Sequence, residues 1–219
     1  MISYTSTGYF LESARAESRH ALCGPQHING AVSPNSGLPL LLIASLDTAD
    51  PLLGISNLKL DTLHLLYSWT CGISAGVFSY RESSKGLEII KYTKGPTETD
   101  FPYENYPLFF PRVGVGLKVL TPDEQAIIER VNRRDIEAFG LAREFGLSVP
   151  RSQVGGEPRL LQWPLRPCHC PVCGSKMPLL ASVGNQTGGA LGFTGNDFVQ
   201  TVFFLCDPCI VVTAYNMCD

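Results

Sequence analysis

Short apolar runs separated by turn-forming residues dominate the first half of the chain. Those of strand length lie at Leu38–Leu46, Leu63–Leu66, Gly76–Tyr80, Leu87–Tyr92 and Arg112–Leu120. Such runs, bounded by glycine, proline and small polar residues, are typical of β-strands. The polar segment Glu82–Gly86 predicts a hairpin between two of them, and the mixed segment Tyr9–Ala21 predicts a short amphipathic helix. Residues 36–120 are therefore expected to form a β-rich N-terminal half.

The segment that begins at Thr121 carries the start signals of an α-helix. Thr121 stands at the capping position, Pro122 follows at the first helical position, and Glu124 comes three residues after the cap. Apolar residues then recur at near-helical spacing; they are Ile128, Val131, Ala138, Phe139, Ala142 and Phe145. This pattern predicts one central amphipathic helix from Pro122 to about Phe145, within residues 121–147, with its apolar stripe packed on a sheet.

The C-terminal half, residues 151–219, repeats part of the N-terminal pattern. Gly37-Leu38-Pro39 leads to the apolar run Leu42–Ser45, and Gly156-Glu157-Pro158 precedes the apolar run Leu179–Ser182. Each run is followed by a potential hairpin, so a weak internal duplication is expected. The chain is thus predicted to be a single domain over residues 1–219, of the α+β class but predominantly β, with two related β-rich halves.

The composition excludes several classes of protein. Hydrophobic residues make up 44% of the 219 positions, which excludes disorder as the main state. Seventeen Lys and Arg against twenty Asp and Glu leave a net charge of −3, which argues against binding to nucleic acid through a basic surface. No window holds the roughly 20 apolar residues of a membrane helix. No secretory signal is apparent either, so we expect a cytoplasmic protein without a membrane partner.

Two cysteine pairs in the C-terminal half carry the strongest chemical signal. Cys170 and Cys173 are spaced as CxxC and are followed by a glycine, and Cys206 and Cys209 repeat that spacing after 32 intervening residues. The strand-like segment between the pairs predicts a hairpin that brings them together. Four thiolates around one tetrahedral Zn²⁺ form a closed, structural site that leaves no position for water or substrate. The sequence therefore predicts a C-terminal pair of zinc knuckles.

Several other residues are weaker candidates for chemistry. Cys168, His169 and Cys218 lie close enough in sequence to replace a zinc ligand, although none completes a further CxxC pair. His20, Cys23 and His27 offer three ligands for a second metal but lack a fourth, so ordinary structural roles are preferred. Cys71 and His64 lie near one another among apolar residues, where core packing is the better interpretation. A Tyr- and Phe-rich segment offers a possible exposed protein interface; its residues are Tyr103, Tyr106, Phe109 and Phe110.

The second half also resembles a known family. Gly155-Gly156-Glu157-Pro158 with Gln162, the knuckle Cys170-Pro171-Val172-Cys173-Gly174, and Met177 before an apolar strand are similar to the pattern of the YwqG-like bacterial proteins. The later segment Phe203–Cys209 resembles the same family and its eukaryotic relatives in ribosome assembly. The likeness covers about the last seventy residues, and Ala181 departs from it, since many relatives carry Gln there. The resemblance implies an α+β fold with two β-rich halves and carries over no enzyme activity.

The expected function is binding to another protein. Some bacterial relatives accompany secreted toxins, so the resemblance implies an immunity protein that neutralises a cognate toxin domain. The eukaryotic relatives suggest an alternative, a chaperone or assembly factor for a ribosomal or other basic client. A lesser alternative is a cysteine hydrolase that pairs Cys23 or Cys168 with a histidine.

Overall fold

The computed structural model describes residues 7–15, 17–68, 71, 76–95, 108–184 and 199–218. Within these residues one curled antiparallel sheet holds eleven strands in the spatial order β4-β3-β2-β7-β1-β8-β9-β10-β11-β5-β6. The strands are β1 (Tyr9–Ser13), β2 (His20–Leu22), β3 (Leu41–Asp47), β4 (Thr62–Tyr67), β5 (Phe78–Ser83), β6 (Gly86–Tyr92), β7 (Val113–Val119), β8 (Gln153–Val154), β9 (Leu179–Gly184), β10 (Val199–Cys206) and β11 (Val211–Cys218). Helices α1 (Pro122–Asn132) and α2 (Ile136–Glu144) lie between β7 and β8 in the chain.

The predicted predominance of β structure is confirmed, and the strands of both predicted halves share one sheet. β3 to β7 fall on the five apolar runs of the N-terminal half, and β5 and β6 form the expected hairpin. That hairpin pairs with β11 of the C-terminal half, with Val211 opposite Arg81. The boundary between the two halves therefore does not separate two sheets, and their relatedness stays a prediction.

The predicted helix over Tyr9–Ala21 is wrong. The chain forms β1 and β2 there instead, separated by a short connection. β1 lies in the middle of the sheet, paired with β7 on one side and β8 on the other, and Tyr9, Phe10 and Leu11 are all buried. Pairing on both edges satisfies the backbone groups of this segment, which outweighs a weak helical pattern.

The prediction of a single helix from Pro122 to about Phe145 is also wrong, because the chain forms two helices there. The capping box forms as expected, with Glu124 N–H donating to Thr121 Oγ1 at 3.2 Å and Thr121 N–H donating to the Glu124 carboxylate at 2.8 Å. The chain then breaks at Arg134, whose φ is +62°, and Asp135 caps α2. A hydrogen bond and charge from Arg130 at 2.7 Å lower the pKa of Asp135.

The break lets the two helices pack on each other. Ala138 and Ala142 are fully buried against α1, whereas Phe139 and Phe145, expected in the same stripe, are about half exposed. Small residues at the contact allow close helix packing, and the turn at Arg134 supplies the reversal that a continuous helix cannot make. Neither helix in the described ranges is long and apolar enough to cross a membrane.

Side chains of β5 cover the outer edge of β4. The Tyr80 hydroxyl donates to the His64 carbonyl oxygen at 2.6 Å and accepts the Leu66 N–H at 2.8 Å. Glu82 accepts the His64 N–H at 2.9 Å and contacts His64 Nδ1 at 2.5 Å. Burial raises the pKa of Tyr80, so its hydroxyl stays protonated and able to donate. Side chains of β5 thus bind backbone groups on the edge of β4 that no strand of the described sheet pairs with.

Replacing Tyr80 with Phe should destabilise the protein by about 1–3 kcal/mol, because a buried carbonyl oxygen and a buried N–H lose their partner. Urea unfolding of the metal-saturated protein measures this change. Tyr92→Phe, which alters a partly exposed tyrosine of β6, is the matched control and should shift the free energy of unfolding by less than about 0.5 kcal/mol. Equal shifts for the two variants would contradict the proposed role of the Tyr80 hydroxyl.

Candidate metal centre

The two CxxC pairs meet at one end of the β9–β10–β11 unit. The sulfur atoms of Cys170, Cys173, Cys206 and Cys209 all lie within 4.8 Å of one another, and those of Cys173 and Cys206 are 3.6 Å apart. Four sulfurs at about 2.3 Å from a tetrahedral ion would be about 3.8 Å apart. This donor set therefore fits a single metal ion, and it is the one such group in the described part of the chain.

The first pair lies on a tight hairpin turn between Cys168 and Met177. Met177 N–H donates to the Cys168 carbonyl oxygen at 2.8 Å, and Cys170 N–H donates to the Ser175 carbonyl oxygen at 2.9 Å. Gly174 has a φ of +75°, a conformation that glycine adopts at little cost. The glycine after the second cysteine therefore closes the turn and keeps both sulfurs on one side.

The second pair lies where β10 turns into β11. Cys206 ends β10, a short 3₁₀ turn covers Asp207–Cys209, and the next strand begins at Val211. Arg81 of β5 donates from Nε to the Cys209 carbonyl oxygen at 3.0 Å, and Asn57 donates to the Asp207 carboxylate at 2.8 Å. These contacts hold the second turn from the N-terminal part of the chain.

The predicted hairpin between the pairs is present as β9 and β10. The register places Phe204 opposite Leu179 and Val202 opposite Ser182. A separate apolar cluster lies beneath the sulfurs; its buried members are Leu160, Cys168, Cys170, Met177, Val202, Phe204, Cys206, Val211 and Met217. The four sulfurs and this second core therefore form one structural unit.

Hydrogen bonds and burial shift the pKa values of Cys173, Cys206 and Cys209 in different directions. Ser175 donates to Cys173 from its hydroxyl and its backbone N–H, which lowers the pKa of this exposed thiol to about 6. Burial raises the pKa of the Cys206 and Cys209 thiols. A bound divalent ion would favour the thiolate at every ligand and offset the repulsion among four negative sulfurs.

Cys168 and His169, two of the three substitute ligands, lie outside this group. Cys168 is buried, with its thiol 3.7 Å from the Met177 sulfur, and burial raises its pKa. His169 is exposed and lies on the backbone bridge to Lys176, outside the four-sulfur cluster. The backbone of Cys218 ends β11 opposite Val199, and its side chain lies outside the description.

His20, Cys23 and Cys71 have structural roles. His20 accepts the Asp47 N–H at Nδ1, 3.1 Å away, so Nε2 is the nitrogen that donates to Asp50 at 2.9 Å. Cys23 is buried 3.9 Å from a carbonyl oxygen, and it forms no metal-ligating group with His20 and His27. Cys71 is also buried, as core packing predicts.

The aromatic segment is only partly described. Tyr103 and Tyr106 lie outside the described residues. Phe109 is 50% exposed, but Phe110 is 6% exposed and belongs to the main core. The expected exposure of Phe110 is therefore not found, because its side chain fills space inside the curled sheet.

Two buried amides that sequence reasoning missed hold the segment before the first knuckle. Asn132, at the end of α1, donates to the Pro158 carbonyl oxygen at 2.8 Å and accepts the Leu160 N–H at 2.9 Å. Gln200 of β10 donates to the Arg159 carbonyl oxygen at 2.7 Å and accepts the Leu161 N–H at 2.9 Å. Each amide thus replaces a missing backbone partner, a role that no local pattern could reveal.

The glycine pair that precedes this segment has a steric role. Gly155 and Gly156 have φ values of +67° and +58°. A Cβ on Gly156 would lie 2.8 Å from the Gly8 backbone, closer than real side chains approach. Glycine at this position therefore lets the chain pass close to the residue before β1. The chain then continues into the segment that Asn132 and Gln200 hold.

Purified protein should contain about one equivalent of a divalent metal ion per chain. Cys206→Ser removes one ligand and should weaken metal binding more than about 100-fold, since changes even outside the ligand set cost 10–100-fold. Loss of an ion present at about 1,000 times its dissociation constant would cost about 4 kcal/mol of stability. Elemental analysis and thermal unfolding measure both effects.

Cys168→Ala is the matched control for the ligand set. It removes a buried thiol outside the cluster, so the metal content should stay at one equivalent even if the unfolding temperature falls. Loss of metal from this variant, or its retention by Cys206→Ser, would contradict the assignment of ligands.

Comparisons with known proteins give no match: no family model, no curated protein and no solved structure matches this chain.

Proposed function

We propose that the protein is a zinc-stapled, cytoplasmic binding module that neutralises a cognate bacterial toxin, as an immunity protein does. The observation that carries the proposal is the closed set of four sulfurs within 4.8 Å. Four protein ligands complete a tetrahedral shell, so the ion stabilises the fold and has no open position for substrate. Thiolate ligands in this geometry suit zinc.

Burial of the Cys23 and Cys168 thiols favours binding over hydrolysis. A nucleophilic cysteine must be accessible and deprotonated. Cys23 is 1% exposed, and burial raises its pKa to about 12. Cys168 is equally buried, with a raised pKa. Neither side chain meets the conditions for the cysteine hydrolase that was the lesser alternative.

Several features support an occluding surface that exists before the partner binds. The buried amides of Asn132 and Gln200 hold an irregular surface segment in one conformation, which reduces the entropy lost on binding. Half-exposed aromatic side chains, among them Phe139 and Trp163, are of the type that anchors protein interfaces. The toxin as partner rests on the resemblance to YwqG-like proteins.

The test is a rescue of growth. A toxin domain encoded beside this chain is expressed in bacteria with and without the protein, and growth is measured. Co-expression should restore growth, and the two chains should co-purify. Cys206→Ser should lose protection because the metal-held part no longer folds, whereas Leu52→Ala, on an exposed side chain of the N-terminal half, should protect as well as the original.

Two results would contradict the proposal. Failure to protect by protein that contains its metal would exclude neutralisation of that toxin. Co-purification of ribosomal proteins in place of the toxin would support the chaperone alternative.

A further inference from the structure

Two cavities lie on either side of the segment that the buried amides hold. One has a volume of about 310 Å³ and is lined mainly by apolar residues, including Leu165, Met177 and Phe204. The other has a volume of about 340 Å³ and lies against the helices, where Ile136 and Phe139 line it. Each holds roughly ten water volumes, enough room for a bulky side chain.

Trp163 lies between the two cavities. Its side chain and that of Leu160 line both of them, and Trp163 is 36% exposed. Ile136 and Phe139 on α2 are 85% and 45% exposed, so apolar surface continues from the second cavity onto the helix. Large apolar side chains grouped in this way mark interaction surfaces more often than isolated exposed ones do. We give the name Trp163 face to the surface formed by Trp163, by Ile136 and Phe139 on α2, and by the lining of the two cavities.

The Trp163 face is held rigidly by its surroundings. Leu160 N–H donates to Asn132 and Leu161 N–H donates to Gln200, and both amide side chains are fully buried. The first cavity also borders Cys168 and Met177 at the base of the first knuckle. The face therefore keeps its shape in the absence of a partner, as binding sites for apolar anchors usually do.

The charge of this face is opposite to that of the whole protein. The charged residues that line the two cavities are Arg134, Arg159, Arg166, Lys176 and Glu157. They comprise four cations and one carboxylate, whereas the full chain has a net charge of −3. Glu157 also accepts a hydrogen bond from Asn132 at 3.1 Å. A partner with acidic groups around its apolar anchors would be complementary to such a surface.

We propose that the Trp163 face binds a segment of a protein partner in which acidic side chains flank two bulky apolar ones, one for each cavity. The proposal rests on the proposed function as a protein binder and names the chemistry of the partner. Nucleic acid fits less well, because aliphatic and thioether groups make up much of the lining of the first cavity and Glu157 adds a carboxylate to it. Apolar side chains of a protein match that lining.

A peptide selection tests the proposal without knowledge of the natural partner. Random twelve-residue peptides displayed on phage are selected on the full-length, metal-loaded protein, and enriched peptides are labelled with fluorescein for anisotropy titration. The enriched peptides should have net negative charge and two bulky apolar residues. Trp163→Ala should weaken their binding by about tenfold or more, because a central aromatic anchor is lost.

Charge reversal tests how much the cations around the cavities contribute to peptide binding. The double variant Arg134→Glu with Arg166→Glu should weaken binding about tenfold and flatten its salt dependence. Arg15→Glu with Lys85→Glu changes the net charge equally at exposed positions outside both cavities, and should change binding by less than about twofold. Metal content and far-ultraviolet circular dichroism show whether each variant is folded.

Three results would overturn the proposal: no enriched peptide, enriched peptides that are neutral or basic, or binding that Trp163→Ala leaves unchanged in folded protein. Binding of a labelled oligothymidine with the same sensitivity to the variants would identify a nucleic-acid site instead. If no peptide binds the Trp163 face but the protein still neutralises the toxin, this inference is wrong and the proposed function stands. If the protein does not neutralise the toxin but peptides still bind as expected, the toxin is not the partner and the Trp163 face stands as a peptide-binding site.

Discussion

The convergence of four cysteine sulfurs within 4.8 Å is the constraint on which the C-terminal part of the molecule depends. The two CxxC turns are 32 residues apart in the chain, so bringing them together costs conformational entropy. Pairing of β9 with β10 and burial of the apolar cluster beneath the sulfurs offset that cost. A single cation at this point would tie together the first knuckle, the β10–β11 turn and, through Arg81, the β5–β6 hairpin.

A second principle recurs through the fold: side chains satisfy backbone groups that the sheet leaves without partners. Tyr80 and Glu82 bind the outer edge of β4, and Asn132 and Gln200 bind the segment that leads to the first knuckle. Unpaired buried N–H and carbonyl groups are costly, so these polar side chains are placed in a largely apolar interior. The same hydrogen bonds hold the Trp163 face in one conformation. The hydrogen bonds of Asn132 and Gln200 therefore contribute both to the stability of the fold and to the shape of the candidate binding surface.

Local signals predicted much of the fold because their chemistry is complete within a few residues. The five apolar runs formed β3 to β7, and the capping box of Thr121 and Glu124 started α1 at the expected residue. The signals failed where the decisive contacts are distant. Tyr9–Ser13 became a strand because β7 and β8 pair with both of its edges, and the helix broke at Arg134 so that Ala138 and Ala142 could pack on α1.

By itself, the sequence indicated which four cysteines could hold a metal ion, because CxxC spacing places two sulfurs on one turn whatever surrounds it. It also determined the predominance of β structure, since strand-length apolar runs must be buried. Only the tertiary structure decided that the two CxxC pairs share one centre, that Cys168 and His169 lie outside it, and that Phe110 belongs to the core. Trp163 and the cations around it likewise come together from separate segments. Contacts between residues far apart in the chain depend on how the whole sheet curls, and no local pattern records that.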